Sequence, residues 1–94
     1  MQHDEKKYDE VANTLKSLAH PIRLCIIQGL LEKGECNVSH MQSCLDAPQS
    51  TISQHIQKLK AARIIEGRRS GLEIYYKVNT SNKKVMELIC ALLK

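Results

Sequence analysis

The stretch that most restricts the fold is residues 48–65, PQSTISQHIQKLKAARII. At helical spacing Ile52, Ile56 and Leu59 recur every three to four residues and define one apolar stripe. The opposite side carries Gln49, Ser50, Ser53, Gln54 and Gln57, polar groups without charge. A helix face that is merely solvated would be dominated by Glu and Lys. Gln donates and accepts in a fixed amide geometry that suits adenine N6 and N7, and Ser suits a base edge or a phosphate. The cations Lys58, Lys60 and Arg63 come later in the segment, where duplex phosphates would be met. The pattern reads as a helix shaped for a DNA groove. The plainer alternative is a solvated Gln/Ser face, and the flanking sequence has to decide between them.

Upstream, residues 4–19 read as a first helix with Tyr8, Val11, Ala12, Leu15, Leu18 and Ala19 on one stripe. Its acidic start (Asp4, Glu5, Asp9, Glu10) suits the positive end of a helix dipole, and the residues ahead of it read as frayed. His20-Pro21 marks the next start, since Pro fits a first turn and disfavours a helical residue before it. From Pro21 to about Leu31 the apolar residues cover more than half the circumference, so this helix is expected at the centre. Gly29 within it suggests a close approach by a neighbour, and Gly34 is the natural stop. Asn37 suits the N-cap of a short helix, 38–45, and Asp46-Ala47-Pro48 makes the turn into the 48–62 helix. Together they form a helix-turn-helix over about 38–62.

Downstream the pattern changes. Ile64-Ile65 begins a strand, Gly67-Arg68-Arg69-Ser70-Gly71 reads as a loop, and Leu72 to Val78 has strand composition. The expectation is a hairpin, about 64–78, with Arg68 and Arg69 at its tip. An arginine pair there can enter a minor groove or straddle its phosphates. An ordinary exposed turn is the alternative, but a recognition-type helix directly before it favours a wing. The fold class that follows is mainly α with a β-hairpin, a single winged helix-turn-helix domain over 1–94. A last helix, about 81–94, is too apolar for so small a domain to hide (Val85, Met86, Leu88, Ile89, Leu92, Leu93). Pairing with the first helix across a two-fold axis would bury it. A C2 homodimer of that kind sets two recognition helices roughly 34 Å apart, one turn of DNA.

Charge and composition fit this picture. The chain has 94 residues, no Trp and no Phe, so one modest core of Leu, Ile and Val is all it can build. Residues 48–79 hold six basic against two acidic side chains, whereas 1–47 hold five against seven. The positive excess therefore sits on the proposed DNA face, as a nucleic-acid footprint requires. No apolar run nears the roughly 20 residues of a membrane span, and no signal peptide opens the chain, so a cytoplasmic protein with no membrane partner is expected. Cys25, Cys36, Cys44 and Cys90 form no CxxC pair and are expected as buried, reduced thiols. Cys36, His40 and Cys44 stand four apart, but a cap at Asn37 takes Cys36 off the helix and leaves only His40 and Cys44. His20 reads as structural, and His55 as a hydrogen-bonded helix residue near the phosphates.

Three ordered motifs, LKSLAHPIRLCIIQGL, PQSTISQHIQKLKAARII and GRRSGLEIYYKV, resemble the ArsR family of dimeric winged-helix repressors over about residues 11–79. AHPIR, PQSTISQH and GLEIYY resemble in particular the PagR-type members, which lack metal ligands. The resemblance implies a homodimer that represses transcription by occupying double-stranded operator DNA. It also implies that the 48–62 helix enters the major groove, that Gln49, Ser50, Thr51, Ser53 and Gln54 face DNA, and that 64–78 is the wing. One family metal site uses two thiolates where this chain has Asn37 and Ser39; another uses Asp and His around the last helix, where neither residue type occurs. No metal and no cofactor are expected. Some relatives pair a cysteine in the second helix with one in the last, and Cys25 and Cys90 occupy those helices here. A redox-sensing repressor is therefore an alternative, though spacing does not give the ~4.4–6.8 Å Cα separation that a disulfide needs.

The expected mechanism has Gln49, Ser50, Ser53 and Gln54 at base edges, Thr51 and Lys58 on phosphates, and Arg68 and Arg69 clamping from the wing. A winged helix used only for protein contact would not need that polar face. An enzyme has the least support, with no phosphate-binding Gly loop, no paired carboxylates and no flanking motif that would activate a nucleophile.

Overall fold

The computed structural model describes residues 4–94; the expected fraying ahead of the first helix lies outside them. Five helices and one hairpin follow in the order α1 (Glu5–Leu18), α2 (Pro21–Lys33), α3 (Val38–Cys44), α4 (Gln49–Ala61), β1 (Ile65–Ser70), β2 (Glu73–Val78) and α5 (Lys83–Leu93). Each boundary has a local cause. Asp4, Asn37 and Asn82 cap α1, α3 and α5 by accepting backbone N–H groups from the first turn. His20 does the same for α2 through Nδ1, and Gly34, at φ 87°, ends that helix with its N–H on the Leu30 carbonyl.

The core lies where α2 and α4 meet the base of the hairpin. Ile27, Leu30, Ile52, Ile56, Leu59, Ile64, Ile65 and Ile89 are essentially inaccessible to solvent. α4 thus buries the stripe read from the sequence, and α2 is central as expected. Gly29 differs from expectation: a Cβ there would meet nothing within 4 Å. Instead of a close approach, Gly29 borders a small apolar cavity of about 60 Å³ between α2 and α3.

α4 ends in a Schellman turn. The Ile64 N–H reaches the Leu59 carbonyl at 3.0 Å and the Arg63 N–H reaches that of Lys60 at 3.0 Å. The left-handed position falls on Arg63 (φ 60°), a residue with a Cβ, where glycine is usual. Asn79 holds the turn from across the hairpin, donating Nδ2 to the Arg63 carbonyl and its N–H to that of Ile64.

β1 and β2 pair antiparallel in the register Ile65↔Val78 to Ser70↔Glu73. The loop expected over Gly67–Gly71 shrinks to a two-residue turn, Gly71-Leu72, with Gly71 at φ 63° as a primed hairpin turn requires. Gly67 lets the strand continue, because the Tyr76 ring lies where a Cβ would come within 2.9 Å. Arg68 and Arg69 are consequently strand residues, paired with Tyr75 and Ile74, and the tip is Leu72, fully exposed. Cys36 bridges the free edge of β2 through two backbone hydrogen bonds with Tyr76, tying the wing to the residues just before α3.

Candidate nucleic-acid interface

Because Ile52, Ile56 and Leu59 are locked in the core, the rotation of α4 about its axis is fixed. Gln49, Ser50, Gln54, Gln57 and Lys58 are exposed on the far side, with Thr51 and Ser53 half-buried along the edges. The short α3 and the turn through Asp46-Ala47 brace this helix from behind. Met41 of α3 enters the core, and the Ala47 N–H closes on the Leu45 carbonyl at 2.8 Å. Ser50, Gln54, Gln57 and Lys58 therefore share the sector facing away from the stripe, Thr51 and Ser53 flank it, and Gln49 is exposed as the first residue of α4. Pro48 supplies no side-chain cap, which leaves the first-turn N–H groups of α4 without a side-chain acceptor.

On the wing the two arginines part company. Arg68 donates Nε to Glu35 Oε2 at 3.0 Å and Nη2 to Oε1 at 2.6 Å, and its guanidinium carbon sits 5.3 Å from the centre of the Tyr75 ring. The Glu35 carboxyl is held below its ordinary value chiefly by that hydrogen bond, which outweighs the opposing effect of burial, with the charges of Arg68 and Lys77 lowering it further. Arg69 is exposed and, among the described residues, pairs with no carboxylate. The expected symmetrical arginine tip is thus replaced by one latched and one free arginine. Glu35 escaped sequence reasoning because nothing in its neighbourhood signals a partner on a distant strand.

Behind the interface, His55 accepts from Arg23 Nε at Nδ1, 3.1 Å, and its ring centre lies 4.3 Å from that of His20. His55 is a hydrogen-bonded helix residue as expected, but its partner is an arginine of α2. Burial first, then the nearby His20 and Arg23, push its pKa below the ordinary 6.5.

The cysteines depart from expectation. Only Cys36 is buried, and burial pushes its thiol pKa up; Cys90 is half-buried, and Cys25 and Cys44 are exposed. Cys25 lies outside the inward face of α2, which Ile26, Ile27 and Leu30 fill. Cys25, Cys36 and Cys44 all border the cavity beside Gly29, and Cys90 is not part of that lining. His40 Nε2 lies 2.8 Å from Lys33 Nζ. Among the described residues no three His, Cys, Asp or Glu side chains gather as a metal-binding group. No helix among them is long and apolar enough to cross a membrane.

A family profile described as a helix-turn-helix domain matches residues 18–68, which span α2, α3, α4 and the start of the wing. The transcriptional repressor PagR of Bacillus anthracis is 41% identical over 81 residues, 86% of this chain and 79% of that protein. This chain belongs to the ArsR family of winged-helix repressors. The biofilm growth-associated repressor of Xylella fastidiosa is 38% identical over 88 residues, 94% of this chain and 75% of that one. The solved structure of PagR superposes with a TM-score of 0.81, covering 95% of this chain and 99% of that one at 38% identity. HlyU from Vibrio cholerae gives 0.84 at 28% identity, covering 95% and 94%.

Proposed function

We propose that this protein is a homodimeric transcriptional repressor that acts in the cytoplasm by occupying an inverted-repeat operator. α4 enters the major groove, where Gln49, Ser50, Ser53 and Gln54 read base edges while Thr51 and Lys58 hold phosphates. The uncapped first-turn N–H groups of α4 suit a phosphate at the groove edge. Arg69 clamps the backbone from the wing, and Arg68 chiefly fixes the wing against Glu35. The observation that carries the reading is the exposed, uncharged Ser50/Gln54/Gln57 face opposite the buried Ile52/Ile56/Leu59 stripe, within a family of repressors.

The dimer is supported by apolar surface on the two terminal helices. Tyr8, Val11 and Leu15 of α1 are each 50% exposed and Leu92 of α5 is 65% exposed. Val11 and Leu15 border a groove whose other wall is Val85 and Leu88 of α5. A second copy seated there would cover both helices, as the shortage of core material in so small a chain favours.

The test is fluorescence anisotropy on the DNA upstream of the protein's own gene, with random duplex as competitor, beside sedimentation of the free protein. Specific binding by a dimer is expected. Failure to outcompete random duplex on that segment, and on fragments selected from the whole genome, would overturn the proposal.

A further inference from the structure

The recognition helix has one polar tie to the rest of the protein among the described side chains, and that tie runs through Arg23. We infer that Arg23 is the positioning residue for α4, acting through a His55 ring that has to be uncharged, so that specific DNA binding is coupled to the protonation of His55. The inference rests on the DNA-binding reading above.

The geometry gathers three elements on one guanidinium. Arg23 stands on α2, and its Nη1 donates to the Ser17 carbonyl at 3.2 Å, in the last turn of α1 where carbonyls lack intrahelical partners. Its Nε donates to His55 Nδ1 on α4. Beside them His20 uses its own Nδ1 to accept the Ile22 N–H and cap α2, while its ring tilts at 46° against His55. His55 is flanked by Gln54, exposed on the reading face, and Ile56, buried in the core. The Arg23–His55 bond therefore lies one residue from Gln54, the proposed base-reading side chain, and adds a directional polar restraint to the orientation that the buried stripe sets.

An imidazole accepts at Nδ1 only while that nitrogen carries no proton. Adding one turns the acceptor into a donor aimed at the Arg23 N–H and puts two cations in contact. The titratable or charged groups that act on His55 are Arg23 from α2 and His20 from the α1–α2 junction; the end of α1 offers the Ser17 carbonyl, which does not titrate. Neither group rewards a charged His55, and burial opposes it further. His55 is thus held below its ordinary 6.5. The sign follows: the anchored arrangement is fully present above about 6.5 and is lost as the pH falls through the lower folded value.

This runs against general electrostatics, since acidification makes a DNA-binding surface more cationic and strengthens binding to any duplex. The test is a pH series from about 8 down to about 5.5 at constant ionic strength, on the specific segment and on random duplex. Specific affinity of the unmodified protein is expected to fall as the pH drops, by up to about tenfold per subunit at pH 5.5, while random-duplex affinity does not fall. His55→Asn keeps an acceptor oxygen near Nδ1 and cannot charge, so it should bind like the parent at the alkaline end and respond weakly to acid. Arg23→Met should lose specific affinity at every pH while circular dichroism shows a folded chain. A parental pH profile in His55→Asn, or parental affinity in Arg23→Met, would overturn the inference. If no DNA is bound specifically, the midpoint of thermal unfolding against pH decides the anchoring itself. An acid-induced fall present in the parent and missing in His55→Asn supports it, and equal falls sink it.

Discussion

The Arg68 guanidinium is docked on the Glu35 carboxylate by two hydrogen bonds, Nε to Oε2 at 3.0 Å and Nη2 to Oε1 at 2.6 Å. That is the fork a phosphate would otherwise receive. Its neighbour Arg69 points to the other face of β1, as alternation along a strand requires, and pairs with no carboxylate among the described residues. Arg69→Ala is therefore expected to weaken binding to all duplexes alike and to reduce the slope of log affinity against log salt by about 0.9 per subunit. Arg68→Ala should change that slope less, and a salt series on both variants checks the order. A larger slope change for Arg68→Ala would mean that Glu35 surrenders its partner on DNA. The same pair has its own pH window. Glu35 titrates below its ordinary 4.5, so the latch is complete above that value and is lost as the pH falls through the lower folded one. An acid response nearer neutrality cannot originate in the wing.

Gln54 is exposed and one residue from the anchored His55, which makes it the best-positioned amide on the proposed reading face. A bidentate Gln–adenine contact discriminates by about 1–3 kcal/mol. Gln54→Ala should relax preference at one base pair of each half-site by that amount and leave random-duplex affinity unchanged. Competition with single-base operator variants measures it. Equal losses on specific and random DNA would instead assign Gln54 to the phosphates.

The helices and the turn between α3 and α4 were legible because their causes are local: a Pro start, Asx caps, a Gly stop and an apolar stripe of fixed period. The exposure of Ser50 and Gln54 was legible for the same reason, since burying Ile52, Ile56 and Leu59 turns their side of α4 outward. The wing was half legible. A Gly-flanked arginine pair reads as a loop until the Tyr76 ring is known to need the space beside Gly67. The Glu35–Arg68 and Arg23–His55 bonds were not legible at all. Each joins side chains distant in sequence, and any of several charged residues would have satisfied the pattern equally well. Cys36 is buried as composition suggests, but Cys25 and Cys44 were misjudged, because the side of α2 on which Cys25 falls is set by Ile26, Ile27 and Leu30.

Leu92 is 65% exposed near the end of α5, so a charge there costs the folded monomer little. In a dimer built on α1 and α5 the same charge would be buried without a partner, which costs several kcal/mol. Leu92→Glu is expected to sediment as a folded monomer and to lose operator affinity. Leu88→Glu is a poorer probe, because Leu88 already packs against the core and its loss would also destabilise the subunit. An unchanged sedimentation profile for Leu92→Glu would remove α5 from the interface.

Gly29 occupies the interior of α2 with open space where a Cβ would stand. Glycine there lowers helix stability by roughly 0.8–1 kcal/mol relative to alanine. Gly29→Ala should raise the unfolding midpoint by about 4–8 °C, the shift that 1 kcal/mol gives in a domain of this size. A fall would show that the cavity bordered by Cys25, Cys36 and Cys44 has to stay open.

Arg63 makes the opposite case, a side chain where glycine belongs. Its φ of 60° costs a residue with a Cβ about 1–2 kcal/mol, and the Schellman bonds together with Asn79 Nδ2 on its carbonyl hold it there. Arg63→Gly removes that strain and should stabilise the fold by about 1 kcal/mol, visible as a higher thermal midpoint. It also removes a cation from the exposed turn that follows α4. If Arg63 meets a phosphate, the more stable variant binds every duplex more weakly, with a salt slope reduced by about 0.9 per subunit. Arg63→Ala separates the two effects, since alanine keeps the Cβ that strains the left-handed region but carries no charge. A gain in stability with no change in salt slope would mean that the strain serves neither DNA binding nor folding. A gain accompanied by a flatter slope would explain why an arginine persists at a position shaped for glycine.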